Sequence, residues 1–285
     1  MTSTRVEVPG GHLRVQQDGV GEGAVVLLHA GVTDHRMWDG VAGVLGRAHR
    51  VVRYDLRGFG GSSPATRPFR HVDDLFTVMD ACGVEEAVLV GASYGGKVAL
   101  EAAAVRPGRV RGLVLLAPPR PGHDWSEAME RCAEAEEAAL GAGDLGAAVQ
   151  VNMDMWVRGP DRAWDGRLRE HAEAVRESMR VALANQENAE EYEEDLGLAV
   201  DEDLAKIVVP AVVGIGTSDI GDFQQIAEHL ASTLPDAELV EFPDTGHLIA
   251  LERPDETSDL ISAFTSRGPL PARSSSPATP SPGTL

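Results

Sequence analysis

The chain has 285 residues, a formal net charge of −20 and a sequence pI of about 4.8. This acidic balance is unfavourable for binding nucleic acid or an anionic membrane surface, so we expect neither as a partner. The two cysteines, Cys82 and Cys132, do not suggest a disulfide framework, and no apolar run has the length of a targeting or membrane-spanning segment. These features predict a soluble, cytoplasmic protein that is long enough for one large core.

The predicted elements begin with a hairpin, because the first residues alternate in polarity around Pro9, Gly10 and Gly11. Short apolar runs and helical patterns then alternate along the chain. The apolar runs predict strands at Val25–His29, Val51–Tyr54, Ala87–Val90, Leu113–Leu116, Ile207–Val213 and Glu238–Phe242. The helical patterns cover Val72–Cys82, Tyr94–Val105, Asp222–Leu234 and Glu256–Ser266. This order predicts an α/β fold with a mostly parallel sheet flanked by helices.

The alternation stops between Arg120 and Lys206, where the pattern is helical with little β character. We expect residues 120–206, called the cap segment below, to form a helical insertion that covers one edge of the sheet. Residues 1–119 and 207–266 then form the core. Residues 267–285 are rich in proline and serine and nearly free of apolar side chains, so we expect them to be disordered.

The stretch VLVGASYGGKVALEAAA, residues 88–104, places a serine between two glycines where a predicted strand meets a predicted helix. In that setting a G-x-S-x-G turn raises the hydroxyl above the end of the strand, and the glycines let strand and helix approach closely. The N-terminus of the helix favours negative charge that develops beside the hydroxyl. A glycine-rich turn without chemistry is the alternative, but the setting favours Ser93 as a nucleophile.

A serine hydroxyl needs an oriented base, and in this architecture the chain order is Ser, then Asp or Glu, then His. Of the later histidines, His123 and His171 fall in the cap segment, and His229 lies within a predicted helix. His247 follows the last predicted strand in a loop, where catalytic groups gather. We therefore predict that His247 is the base for Ser93.

Two aspartates compete for the role of the acid. Asp219 directly follows the preceding predicted strand, and we predict that it orients His247. Asp222 has Gln225 three residues later, a capping-box pattern that indicates a structural role at a helix start. Asp244 is interpreted as a turn residue in Pro-Asp-Thr-Gly.

The oxyanion of an acyl-transfer intermediate needs amide donors. One is predicted to be the backbone N–H of Tyr94, the residue after the nucleophile. The second is expected from the loop after an early strand, in VVLLHAGVTD. We predict Gly31 for this donor, with Val32 as the alternative, and a structural role for His29.

Several motifs taken together resemble the α/β-hydrolase fold family over about Val6 to Ser266. They are LLHAG, YDLRGFGGS, VGASYGG, PGRVRGLVLLAPP, GTSD and GHLIALERP. The resemblance implies eight strands, a triad of Ser93, Asp219 and His247, and a cap over residues 120–206. The sequence His-Ala-Gly departs from the His-Gly of many members, which bears on the oxyanion assignment. Branches with an aspartate nucleophile are excluded by the serine, and the sequence looks more like carboxylesterases and enol-lactonases.

The cap segment carries several tryptophans and methionines. Most are expected to pack the cap segment onto the core, and we predict substrate contact for Trp156, Met155 and, from the core, Val32. The stretch from Gln186 to Asp203 is rich in carboxylates without Lys or Arg, and we interpret it as a solvated helix surface rather than a cation site.

No cofactor or metal is predicted. DLRGFGGSSP lacks the Lys-Ser/Thr of a phosphate loop, and we expect Asp55 and Arg57 to connect loops there. No Cys/His cluster has zinc spacing. The sequence thus predicts a serine hydrolase acting on a small, mostly apolar ester or lactone. The alternatives are C–C bond hydrolysis, perhydrolysis or a biosynthetic step with the same triad, and a ligand-binding protein without turnover.

Overall fold

A computed structural model describes residues 2–186, 189–198 and 200–266, so the predicted disorder of residues 267–285 lies outside the described residues. Eight strands form one sheet: β1 (Thr2–Val8), β2 (Gly11–Asp18), β3 (Ala24–Leu28), β4 (Arg50–Tyr54), β5 (Ala87–Ala92), β6 (Val110–Leu116), β7 (Ala211–Gly216) and β8 (Ala237–Phe242). Their order is β1-β2-β4-β3-β5-β6-β7-β8. The pairs β1–β2 and β2–β4 are antiparallel and the others parallel. The predicted fold class is confirmed.

The hairpin and four of the core helices also follow the sequence pattern, whereas the helices at Asp39–Leu45 and Ile249–Glu252 were not predicted from it. Gly10 has a φ of 87° at the turn between β1 and β2, a conformation that glycine adopts without strain. The helices of the core are α1 (Asp39–Leu45), α2 (His71–Ala81), α3 (Tyr94–Val105) and, after the cap segment, α9 (Gly221–Thr233), α10 (Ile249–Glu252) and α11 (Pro254–Ser266). Helix α1 packs against α11, and α2 packs against α3.

Strands β5 and β7 are buried along their whole length, as continuous apolar runs predict for parallel strands with both faces covered. Since the strands from β3 to β8 are parallel, their carboxyl ends meet at one edge of the sheet. The loops that follow β3, β5, β7 and β8 carry the residues selected from the sequence, and the fold gathers them at that edge.

One predicted strand was wrong at its start. The run Ile207–Val213 was expected to be extended, but β7 begins at Ala211. The amide of Ile207 instead bonds the carbonyl of Leu204 and closes the turn after a short helix. Pro210 lacks an N–H and cannot donate to a sheet ladder, so pairing starts one residue later.

The cap segment runs from β6 to β7. Its helices are α4 (Glu127–Gly141), α5 (Leu145–Asn152), a π-helical turn (Met153–Arg158), α6 (Gly166–Gln186), α7 (Ala189–Tyr192) and α8 (Val200–Leu204). It contacts the core through side-chain bonds, among them Asn185 to Gly58 and Ser178 to Asp34. None of the helices in the described part of the chain has the length and apolar character that crossing a bilayer needs.

Candidate active site

Ser93 occupies the turn between β5 and α3 with φ 46° and ψ −117°. This left-handed conformation is strained for a residue with a Cβ, and it persists only where the surroundings impose it. A Cβ on Gly91 would lie 2.3 Å from the carbonyl oxygen of Gly95, and one on Gly95 would lie 2.3 Å from that of Leu28. Only glycines therefore permit this turn, which leaves the Ser93 side chain half-buried at the carboxyl edge of the sheet.

Asp219 and His247 lie together, as predicted. Nδ1 of His247 is 2.9 Å from Oδ2 of Asp219, and the side chains are 2% and 1% exposed. Because the carboxylate accepts, Nδ1 is the donor in this bond, and Nε2 is the ring nitrogen that the bond does not use. The second carboxylate oxygen of Asp219 accepts the amide of Ile220 at 2.7 Å, which fixes the carboxylate plane.

Backbone hydrogen bonds fix the loops that carry these residues. The amide of Ser93 bonds the carbonyl of Leu116 at the end of β6, at 2.8 Å. The amide of Ser218 bonds the carbonyl of Thr245 at 2.9 Å, which ties the Asp219 loop to the His247 loop. Within the described part of the chain the Ser93 hydroxyl has no hydrogen-bond partner. The structure thus brings Ser93 to the same edge as the Asp219–His247 pair without a bond between them.

Asp222, the competing acid, makes a different set of contacts. Its carboxylate accepts the amide and hydroxyl of Ser126 at 2.8 and 2.7 Å and lies 3.1 Å from Nε2 of His123. The capping-box interpretation with Gln225 was wrong, because the residue before α9 is Ile220 and no side chain caps the helix. Asp222 instead ties the start of the cap segment to α9.

The two predicted oxyanion donors are neighbours. A Cβ on Gly31 would lie 3.4 Å from Cβ of Tyr94, so the loop after β3 rests against the start of α3. Among the described residues, no backbone hydrogen bond takes up the N–H of Gly31, Val32 or Tyr94. His29 is structural, as predicted: Nδ1 lies 2.8 Å from the carbonyl of Ala30, and Nε2 accepts the amide of Leu56 at 2.9 Å. Burial lowers the pKa of His29, which suits this neutral role.

Aromatic rings surround His247. The ring of Trp156, from the π-helical turn, lies 4.8 Å from the imidazole centroid, and that of Phe223, from α9, lies 4.4 Å away. Trp156 is fixed by a 3.0 Å bond from Nε1 to Asn152. Sequence reasoning missed Phe223, because the only signal there was its position directly after Asp222 at the start of a helix. Met155 and Val32 are partly buried against the core, and their contact with substrate stays a prediction.

The side chain of Tyr94 points to the cap segment. Its hydroxyl donates to Oε1 of Glu193 at 2.5 Å, and Nζ of Lys97 lies 3.1 Å from the same oxygen. Phe69 and Glu193 form a parallel β-bridge that fixes this part of the cap segment. The interpretation of residues 186–203 as a solvated helix surface was therefore wrong at Glu193. Lys97 also lies 3.7 Å from Glu101, whose pKa burial raises to about 7.

Asp34, His35 and Asp55 form a cluster whose ligand atoms could hold a metal ion. Each carboxylate already has strong donors: Arg36 and Ser178 bond Asp34, while the ring and amide of His35 bond Asp55 at 2.5 and 2.9 Å. These donors satisfy the carboxylates, so the cluster acts as a loop connection.

Arg57 also connects loops, as predicted. It makes two bonds to Asp74, at 2.9 and 2.8 Å, and a third to the carbonyl of Pro9 at 3.2 Å. The Arg57–Asp74 pair is buried, and the Arg57 guanidinium also lies over the ring of Phe69, with Cζ 4.8 Å from the ring centroid.

Comparison with known proteins gives both sequence relatives and structural neighbours. A profile described as the alpha/beta hydrolase family matches residues 25–260. Lipase LipV of Mycobacterium tuberculosis is 30% identical over 266 residues, which cover 87% of this chain and 96% of that protein.

Solved structures share the fold. A thermophilic esterase from Thermogutta terrifontis has a TM-score of 0.73 at 25% identity, covering 93% of this chain and 98% of its own. The enol-lactonase from Burkholderia xenovorans LB400 has a TM-score of 0.75 at 23% identity, covering 92% of this chain and 99% of its own.

Proposed function

The chain belongs to the alpha/beta hydrolase family and is an enzyme of that fold, and we propose that it is a serine hydrolase of small, mostly apolar carboxylic esters or lactones. The observation that carries the proposal is the buried hydrogen bond between Asp219 and His247. It orients the imidazole at the edge of the sheet where the strained turn presents Ser93. A hydroxyl, a base and an oriented carboxylate are the groups that acyl transfer through a serine ester requires.

In the proposed reaction, Nε2 of His247 takes the hydroxyl proton of Ser93 while the Ser93 oxygen attacks the carbonyl carbon of the substrate. The resulting oxyanion accepts hydrogen bonds from the amides of Tyr94 and Gly31. When the intermediate collapses, the C–O bond to the alcohol breaks and His247 gives the alcohol its proton. Asp219 stabilises the imidazolium between these transfers.

Release of the acid repeats these steps with water. His247 takes a proton from water as the water oxygen attacks the acyl-enzyme, and the proton passes to the Ser93 oxygen as the ester bond breaks. Both halves need a neutral His247 at the start. We therefore expect activity to rise with pH as the base loses its proton and then to level off.

The substrate class rests on the surroundings and on the relatives. Trp156 and Phe223 place apolar surface against the imidazole, next to the position that a leaving alcohol must occupy to receive the proton. The names lipase and esterase of the relatives point to carboxylic esters. The cap segment covers this edge and favours substrates that are small enough to enter beneath it.

The test is a panel of nitrophenyl esters from acetate to octanoate and of γ- and δ-lactones, with Ser93→Ala as the matched variant. We expect saturable hydrolysis by the natural chain, a burst of alcohol equal to the enzyme present, and loss of both in Ser93→Ala. Turnover that survives Ser93→Ala in the folded protein would overturn the proposal. Failure of the whole panel would also count against it and favour another reaction of this fold or ligand binding without turnover.

A further inference from the structure

We propose that Arg162 of the cap segment is a positioning residue for His247 and acts through Glu252. The inference rests on the proposed function, in which His247 is the base. The sequence pattern gave no role to either residue, although Glu252 stands in the quoted motif GHLIALERP.

The pair formed by Arg162 and Glu252 is bidentate and largely removed from water. Nη1 and Nη2 of Arg162 lie 2.8 and 2.6 Å from Oε1 and Oε2 of Glu252. The side chains are 14% and 3% exposed. Two parallel charge-assisted bonds fix the direction of the carboxylate as well as its position. The pair spans 90 residues of sequence and joins the cap segment to α10.

Glu252 in turn bonds the backbone of Gly246, the residue before His247. Its Oε1 also accepts the amide of Gly246 at 2.9 Å. A Cβ on Gly246 would lie 2.3 Å from Nη1 of Arg162 and 3.0 Å from Oε1 of Glu252. The guanidinium therefore rests directly on the backbone of Gly246, and the amide that precedes His247 is held by the carboxylate that Arg162 orients.

The backbone of Arg162 is itself supported. Nη1 of Arg158 donates to the carbonyl of Arg162 at 3.0 Å, while Nε of Arg158 donates to Asp154 at 3.1 Å. Arg158 ends the π-helical turn that also carries Trp156 against the imidazole. One stretch of the cap segment thus meets the base loop at two points, the ring of His247 and the backbone of Gly246.

Electrostatics keep Arg162 charged. The hydrogen bonds to Glu252 raise the pKa of Arg162 against the effect of burial, and the charges of Glu252, Asp165 and Asp219 act in the same direction. Without the guanidinium, the buried carboxylate of Glu252 would lose its counter-charge and turn to solvent or take up a proton. Either change weakens its bond to the Gly246 amide and frees the base loop.

The expected consequence is specific to the proton-transfer steps. A small displacement of His247 misaligns Nε2 with Ser93 and with the leaving alcohol, and such misplacement is costly in rate. Substrate binding beneath the cap segment is expected to be less affected, because the contacts of Arg162 are with Glu252 and the backbone of Gly246 and not with Ser93 or the predicted oxyanion donors. The signature is therefore a lower kcat at nearly constant KM.

The experiment makes the same change at two buried bidentate pairs, with Arg162→Lys as the test and Arg57→Lys as the matched control. Arg57 pairs with Asp74 and is not part of the proposed catalytic machinery. Each lysine keeps a charge and loses the second bond, so both variants are expected to fold with a lower Tm. Steady-state kinetics with an ester that the natural chain hydrolyses, and the rate of labelling by a fluorophosphonate, are measured on all three proteins.

We expect Arg162→Lys to lower kcat and the labelling rate about tenfold, with KM within about threefold, and Arg162→Met to lower them further. Arg57→Lys should keep both rates within about twofold of the natural chain. Unchanged rates in folded Arg162→Lys, or equal losses of rate in the Arg57→Lys control, would overturn this inference and leave the proposed function standing. If the natural chain itself neither turns over esters nor reacts with the probe, the proposed function fails and the inference fails with it.

Discussion

In the core, Ser93 is held by backbone geometry, whereas the cap segment contacts the surrounding residues through side-chain hydrogen bonds, ion pairs and a ring contact. The Ser93 turn depends on two close glycines and on the paired strands β5 and β6. In the cap segment, Glu193 bonds Tyr94 and Lys97, which are far from it in the sequence. Arg162 likewise bonds Glu252, which is 90 residues away. Backbone geometry cannot be altered gradually, whereas an ion pair can be weakened one bond at a time. We therefore expect substitutions at the Ser93 site in the core to cause large losses of kcat or of stability. Substitutions in the cap segment should cause smaller losses that grow with the number of bonds removed.

The largest expected effect is at Asp219. Asp219→Asn keeps the shape of the side chain, but its amide can donate to Nδ1 of His247, which places the ring proton on Nε2. Nε2 then cannot accept the Ser93 proton, so we expect kcat to fall about 10⁴-fold with little change in Tm. Steady-state ester hydrolysis measures it. Asp222→Asn is the matched control, since it loosens only the bonds to Ser126 and His123 and should keep kcat within about threefold. A larger loss in Asp222→Asn than in Asp219→Asn would reverse the assignment of the acid.

The next effect tests backbone geometry. Gly95→Ala places a Cβ 2.3 Å from the carbonyl oxygen of Leu28, and we expect a loss of unfolding free energy of roughly 1–3 kcal/mol or more, with lower activity. Urea unfolding followed by circular dichroism gives the value. Gly43→Ala, at an exposed position of α1 with no atom within 4 Å of the new Cβ, should gain about 0.5–1 kcal/mol. Equal tolerance of both changes would refute the close-approach argument.

A pH-dependent effect is expected where α3 meets the cap segment. Burial raises the pKa of Glu101 from 4.5 to about 7, so between these values the folded chain binds more protons than the unfolded chain. This group therefore costs stability progressively as pH rises from about 4.5 to 7. Glu101→Gln removes the cost and should be more stable than the natural chain at pH 8, by up to about 3 kcal/mol. At pH 4 this gain should disappear.

Thermal unfolding of both proteins across this pH range measures the difference. A Glu101→Gln variant that is less stable than the natural chain at pH 8 would show that the pair with Lys97 outweighs burial.

The smallest effect is expected at Glu193. Glu193→Gln weakens the bonds from Tyr94 and Lys97 and should lower unfolding free energy by about 1–2 kcal/mol. Hydrogen exchange should quicken in residues 189–198, with kcat within about threefold. Glu194→Gln is the control, because Glu194 is exposed and its carboxylate has no partner in the described part of the chain. Identical exchange in both variants would contradict a fixed contact at Glu193.

The same contrast explains what the sequence could predict. The strands, the turn at Ser93 and the loop positions of Asp219 and His247 follow from local patterns, because period, glycine placement and chain order are visible in single segments. The start of β7 was predicted too early, at Ile207 and not at Ala211. An apolar run does not show at which residue the hydrogen bonds between strands begin. The contacts of Asp222, Phe223 and Glu193 depend on which helices meet across the fold, and no local pattern encodes that.

Labelling with a fluorophosphonate tests the central claim that Ser93 is an activated nucleophile most directly. Intact-mass measurement of the natural chain, Ser93→Ala and heat-denatured protein gives the stoichiometry, and peptide mapping gives the site. The account predicts one adduct per chain at Ser93, none in Ser93→Ala and none after denaturation. No adduct in the folded chain, with this probe and with a smaller sulfonyl fluoride that passes more easily beneath the cap segment, would contradict it.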